Sequence, residues 1–101
     1  MLFRHYDKLD VRKGDIIKIS GDGVHSSVHI VVRPHYRAFG DRELFAVDAY
    51  TILCDEPYYE DDMKVGEIGP LYLSEFLERT ERNSLEVLHR IHTHDIRTQA
   101  R

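Results

Sequence analysis

A single cysteine, Cys54, has no partner for an internal disulfide, which points to a reducing compartment and a core held by packing alone. Long apolar runs are also missing. None approaches the ~18 residues of a membrane span, and Met1 to Lys13 alternates charged and apolar side chains where a signal peptide would place an apolar stretch. A soluble, cytoplasmic protein without membrane association is expected. Basic charge is in deficit: 14 Lys plus Arg stand against 18 Asp plus Glu, a net charge of -4, so nucleic-acid binding would need a local basic patch. No G-x-G-x-x-G, G-x-x-x-x-G-K-[ST], C-x-x-C or H-E-x-x-H occurs. Each of those spacings builds a phosphate cradle, a redox pair or a zinc site, so no bound cofactor is expected. Internal repeats, low-complexity tracts and linkers are absent too.

What is present suits one domain over residues 1–101, since chains of this size have room for one core. The fold class predicted is α+β: a strongly curved antiparallel sheet or small β-barrel of four to five strands with one packed helix. Asp15 to Ser20 is rich in β-branched residues and reads as a strand, with Gly21-Asp22-Gly23 supplying a turn. Ser27 to Arg33 reads as a second strand, stacking Val28, Ile30 and Val32 on one face and ending at Pro34. Glu43 to Cys54 is the longest strand candidate and is apolar on both faces. Lys64 to Ile68 suits a short strand, and Pro70 suits the first turn of an amphipathic helix over Leu71 to Glu81. Ser84 to Thr93 fits a strand, or a helix behind an Asn83/Glu86 capping box; an open sheet edge favours the strand. The predicted core is Ile17, Ile19, Val28, Ile30, Val32, Phe45, Val47, Leu53, Leu73, Phe76, Leu77, Val87 and Ile91.

Seven histidines are the compositional oddity, five of them grouped as His25/His29 and His89/His92/His94. On a strand His25 and His29 share a face but stand about 13 Å apart, too far to chelate together. His92 and His94, at i and i+2, can hold one metal ion with a third ligand from a neighbouring strand. His92-Thr93-His94-Asp95 resembles the start of the His-x-His-x-Asp-His motif of metallo-β-lactamase-fold hydrolases. The aspartate stands one place early and Arg97 occupies the last histidine position, so no ligand is carried over from that family. Cys54, beside Asp55 and Glu56, reads as a small buried hydrophobe, not a nucleophile. Ser26 and Ser27 lie between His25 and His29, with no third orienting group nameable from the sequence.

Arg12-Lys13-Gly14-Asp15-Ile16-Ile17 resembles the first strand of the growth-inhibitor ribonucleases of plasmid toxin systems, and of PUA-type RNA-binding barrels. The resemblance implies a small barrel that binds or cleaves RNA. In the toxins an Arg-Pro pair precedes the valine-rich strand, whereas Arg33-Pro34 follows it here, so their catalytic arginine has no matched position.

Two surface segments are candidates for binding. Arg33, His35, Arg37 and Arg42, with Tyr36 and Phe39 interleaved, offer basic groups for phosphate and rings for bases, presented on a loop between strands. Asp55 to Asp62 carries five carboxylates in eight residues. There Tyr58, Tyr59, Glu60, Asp61 and Asp62 can present an acidic, aromatic surface to a protein partner with a basic surface. With no catalytic constellation evident, the function expected is a non-enzymatic interaction module of inhibitor or regulator type that binds and modulates another macromolecule. The alternatives are a nucleic-acid-binding or RNA-cleaving barrel and a metal-dependent enzyme built on His92 and His94.

Overall fold

The computed structural model describes residues 2–3, 9–21, 25–40, 42–54 and 65–91, with the backbone alone at 2–3, 25, 37–39 and 42. Six strands form one antiparallel sheet: β1 (Leu2–Phe3), β2 (Ile16–Gly21), β3 (His25–Phe39), β4 (Arg42–Cys54), β5 (Ile68–Leu71) and β6 (Ser84–His89). Helix α1 spans Leu73–Arg79. The strand order is β1-β6-β2-β3-β4-β5. Among the described residues no ladder joins β1 to β5, so the sheet keeps two open edges. No described helix is long and apolar enough to cross a membrane.

Alternation explains β2, where Ile17 and Ile19 are buried between half-buried Ile16, Lys18 and Ser20. Its entrance is a turn in which Asp15 N–H donates to the Arg12 carbonyl at 3.0 Å. Gly14 takes φ +88° there, a conformation that a side chain disfavours.

Strand β3 runs through Pro34 instead of stopping at it. Beyond Val31, whose N–H and C=O bond to Asp15 and Gly14, β3 pairs only with β4 among the described residues. One side of β3 is therefore open from there on, and past Val47, where β5 ends, the β3–β4 pair continues as a two-stranded ribbon to the Gly40 turn. Proline has no N–H to contribute on a ladder's second side, so it is tolerated where that side is open. Arg33, Tyr36, Arg37, Phe39 and Arg42 consequently lie on strands, not on a loop.

Pro70 likewise belongs to β5, and the helix starts at Leu73, two residues later than predicted. Thr51 N–H bonds to the Glu67 carbonyl, and two-residue alternation then turns the missing Pro70 donor away from β4. Helix α1 buries Leu73 and Leu77 against the inner face of the sheet, each burial contributing about 1.5–3 kcal/mol. Ser74 closes the part of β4 that β5 leaves unpaired: its hydroxyl accepts from Phe45 N–H at 3.0 Å and donates to Phe45 C=O at 3.4 Å. Asn83 is not the cap of a further helix. Its Nδ2 donates to the Phe76 carbonyl at 2.8 Å, satisfying an end group of α1, and Ser84 opens the predicted strand.

The core comprises Val11, Ile17, Ile19, Val31, Phe45, Val47, Ala49, Leu71, Leu73, Leu77 and Leu85. Val28 and Ile30 are half-buried, and Val32, Leu53 and Ile91 are exposed. The inward face of β3 is Ser27, His29 and Val31, the opposite of the face that hydrophobicity selects. Two register shifts accompany this inversion, one at Val31/Arg33 and one at Val28/His29.

Candidate functional site

The inner face carries a polar line across β3 and β4. Ser27 and His29, two apart, point to the same side of β3, and Thr51 meets them from β4 in register with His29. Ser27 Oγ lies 2.7 Å from His29 Nε2, and Thr51 Oγ1 lies 3.0 Å from Nδ1. The imidazole is 0% exposed, and burial pushes its pKa down to about 4, so the ring is neutral at pH 7. The orienting group that the sequence did not reveal is thus Thr51. The trio has the hydrogen-bonding pattern of a nucleophile, a base and an orienter, but Ser27 is sealed from solvent at 1% exposure. Its geometry serves structure.

A second cluster joins the chain ends of the sheet. Arg90 donates to both carboxylate oxygens of Asp15, and to the Asp10 carbonyl at 2.7 Å. Asp15 Oδ2 also accepts from Arg12 N–H at 2.8 Å. The Arg12 hydrogen bond, aided by the Arg12 and Arg90 charges against the opposing effect of burial, holds the Asp10 carboxyl below its ordinary pKa. Its bond to Asp15 raises that of Arg90. The Gly14-Asp15 motif at the β2 entrance is therefore a clamped turn.

The candidate basic surface is only partly basic. Arg33 Nη2 lies 2.9 Å from Asp48 Oδ2, and His35 Nε2 lies 3.3 Å from Asp48 Oδ1. Burial raises the Asp48 pKa, but the Arg33 and His35 hydrogen bonds and charges outweigh it and bring it below the ordinary carboxylate value. Tyr36 is 64% exposed and meets Phe45 edge-on at 5.1 Å. Arg37 is in register with Leu44, and Phe39 with Arg42, farther along the ribbon.

The outer face of the sheet is largely apolar. Cross-strand pairing sets Ile16, Ile30, Tyr50 and Ile68 in one row over β2, β3, β4 and β5, about 14 Å long at ~4.8 Å per strand. The next row holds Lys18, Val28 and Leu53. Leu53 is 62% and Ile68 63% exposed. Sequence reasoning assigned Val28, Ile30 and Leu53 to the core; the signal for a second apolar face was the two-sided apolar pattern of β4.

Tyr58, Tyr59, Glu60, Asp61 and Asp62 lie outside the described residues, as do His92 and His94. Their segment 55–64 connects Cys54, at the end of β4, to the Val65-Gly66 turn. Among the described residues no three His, Cys, Asp or Glu side chains group as metal ligands. His29 is buried and His89 exposed. Cys54 is half-buried. Comparison with protein-family models, with curated proteins and with solved structures returns no match for this chain.

Proposed function

We propose that the protein is a small interaction module, of inhibitor or regulator type, that binds a protein partner through the outer sheet face and the adjoining acidic segment. The apolar row Ile16, Ile30, Tyr50 and Ile68, with Leu53 beside it, carries the reading; Tyr50, Leu53 and Ile68 are exposed and Ile16 and Ile30 half-buried. Contiguous exposed apolar surface rimmed by polar groups marks interaction sites. Its chemistry selects the partner. Asp55 follows two residues after Leu53, and five carboxylates with Tyr58 and Tyr59 occupy residues 55–62. A complementary partner presents an apolar centre with a basic rim, and the tyrosines serve as anchors.

Affinity capture with paired variants tests this. A protein retained by the wild type, released by salt, and lost from both Leu53→Asp/Ile68→Asp and Tyr58→Ala/Tyr59→Ala supports the reading. Retention of nothing, or retention unaffected by both variants, removes it. Light scattering that gives a dimer for the wild type and a monomer for Leu53→Asp/Ile68→Asp would assign the face to a second copy of the chain.

A further inference from the structure

The apolar row on the outer face reaches one strand beyond β2. Leu85 lies in the core and Val87 packs against it, so alternation along β6 turns Leu88 outward. The register shift between Ile16 and Ile17 sets Leu88 beside Ile16, and Leu88 is exposed. The row Leu88, Ile16, Ile30, Tyr50 and Ile68 thus crosses β6, β2, β3, β4 and β5, about 19 Å at ~4.8 Å per strand. Val28 and Leu53 widen it on one side, and the exposed Val32 and Pro70 on the other. Rows on one face lie ~7 Å apart along a strand, so the band is about 14 Å wide.

We propose that this band receives an amphipathic α-helix of the partner, laid across the strands. The inference rests on the interaction reading above and gives the partner a shape. A helix with its side chains is about 10–12 Å across and rises 1.5 Å per residue, so about 13 residues fill the band. The inner face already takes a helix in this way, through Leu73 and Leu77 one turn apart. A helix on the outer face completes a layered arrangement of helix, sheet and helix. An extended segment would instead add along an edge, and the edge beside Ile68 is interrupted at Pro70, which has no N–H to donate.

Charge narrows the occupant further. The charges on this face are matched within the chain: Asp48 bonds to Arg33 and His35, and Lys18 stands opposite Glu86. The residues of the row carry no charge, so the stripe that covers them is neutral and apolar, because a charge buried there without a partner would be costly. Arg33 borders the band beside Val32, with its side chain 71% exposed. It reaches Asp48 through Nη2, and a guanidinium has five donors. It can therefore take a carboxylate from the border of the helix that passes it. The basic rim of the interaction reading lies on the far, Leu53 side.

The probe is a fluorescein-labelled peptide of about 14 residues, with leucines at helical spacing, glutamates along one border of that stripe and glutamines elsewhere. Its control has the same composition in strict alternation. A free helix of this length is marginal in water, so binding is read from anisotropy together with a gain of helical circular dichroism. The helical peptide is expected to bind the full chain and gain helicity, and the control to bind at least ~tenfold more weakly. Leu88→Gln and Ile68→Gln, at opposite ends of the band, should each weaken the helical peptide about fivefold, and Arg33→Ala about threefold. No binding, equal binding of the control, or binding indifferent to Leu88→Gln overturns the helix. So does light scattering that shows a dimer which the peptide does not disperse, since the face then belongs to a second copy. A positive capture with an inert helical peptide overturns the helix and leaves the interaction reading standing. An empty capture with the helical peptide bound does the reverse.

Discussion

Arg90 and Asp15, 75 residues apart in sequence, form a two-pronged ion pair in which Nε donates to Oδ1 at 3.0 Å and Nη2 to Oδ2 at 2.9 Å. Asp15 is 1% exposed, so the guanidinium is what makes its burial tolerable. Arg90→Ala is expected to cost about 3–5 kcal/mol in urea unfolding, because it strands a buried carboxylate. Arg90→Lys should recover only part of that, since an ammonium cannot span both oxygens. A loss below ~1 kcal/mol in Arg90→Ala would reduce the pair to the rank of a surface contact.

His29 sets the acid side of the stability profile. Its folded pKa, about 4, lies below the ~6.5 of an unfolded chain. The unfolded state therefore binds the proton first. Stability is full above ~6.5, declines as pH falls, and is about 2 kcal/mol lower by pH 5 from this ring alone. Chemical denaturation at pH 7 and 5 should show that difference between the wild type and His29→Gln, with the wild type the more pH-sensitive. Equal pH slopes would contradict the assignment.

Ser74 does for β4 what a neighbouring strand would do, bonding both backbone groups of Phe45. Ser74→Ala leaves a buried N–H and C=O without that partner, at an expected cost of about 1–3 kcal/mol. The signature is local: the Phe45 amide should lose its slow hydrogen exchange in the variant. An unchanged Phe45 amide would show that the hydroxyl is dispensable.

Asp48 masks the cations beside it. With Arg33 and His35 both bonded to one carboxylate, the wild type is expected to leave a polyuridylate column below about 0.15 M salt. Asp48→Ala unmasks both residues and should elute later. A wild type that needs higher salt, and that loses retention in Arg37→Ala/Arg42→Ala, would favour the nucleic-acid alternative.

Local pattern made the strands at Ile16–Gly21, Arg42–Cys54 and Ser84–His89 legible, together with a helix through Leu73 and Leu77. Each buries a periodic apolar stripe, and β4 carries a second apolar face that is left exposed at Tyr50 and Leu53. Strand β3 was misread because hydrophobicity ranks Val28, Ile30 and Val32 above Ser27 and His29, whereas the inner face accepts polar groups once Thr51 completes their hydrogen bonds. That completion depends on register, which one strand alone does not encode. Pro34 reads as the end of a strand and Pro70 as the first turn of a helix, because the tolerance of proline within a strand depends on which neighbours that strand lacks. For the candidate site, the acidic character of residues 55–62 was legible, but the apolar row beside it arises only when four strands align.

The same two prolines have a consequence at the margins of the sheet. An exposed strand edge is a template on which further chains can add, and Pro34 and Pro70 each interrupt the donor row on such an edge. Pro70→Val would restore a continuous donor line along β5, next to the exposed Ile68. Among the described residues the chain thus exposes Leu53 and Ile68 on an apolar sheet face while proline interrupts the edges on which a further strand could add.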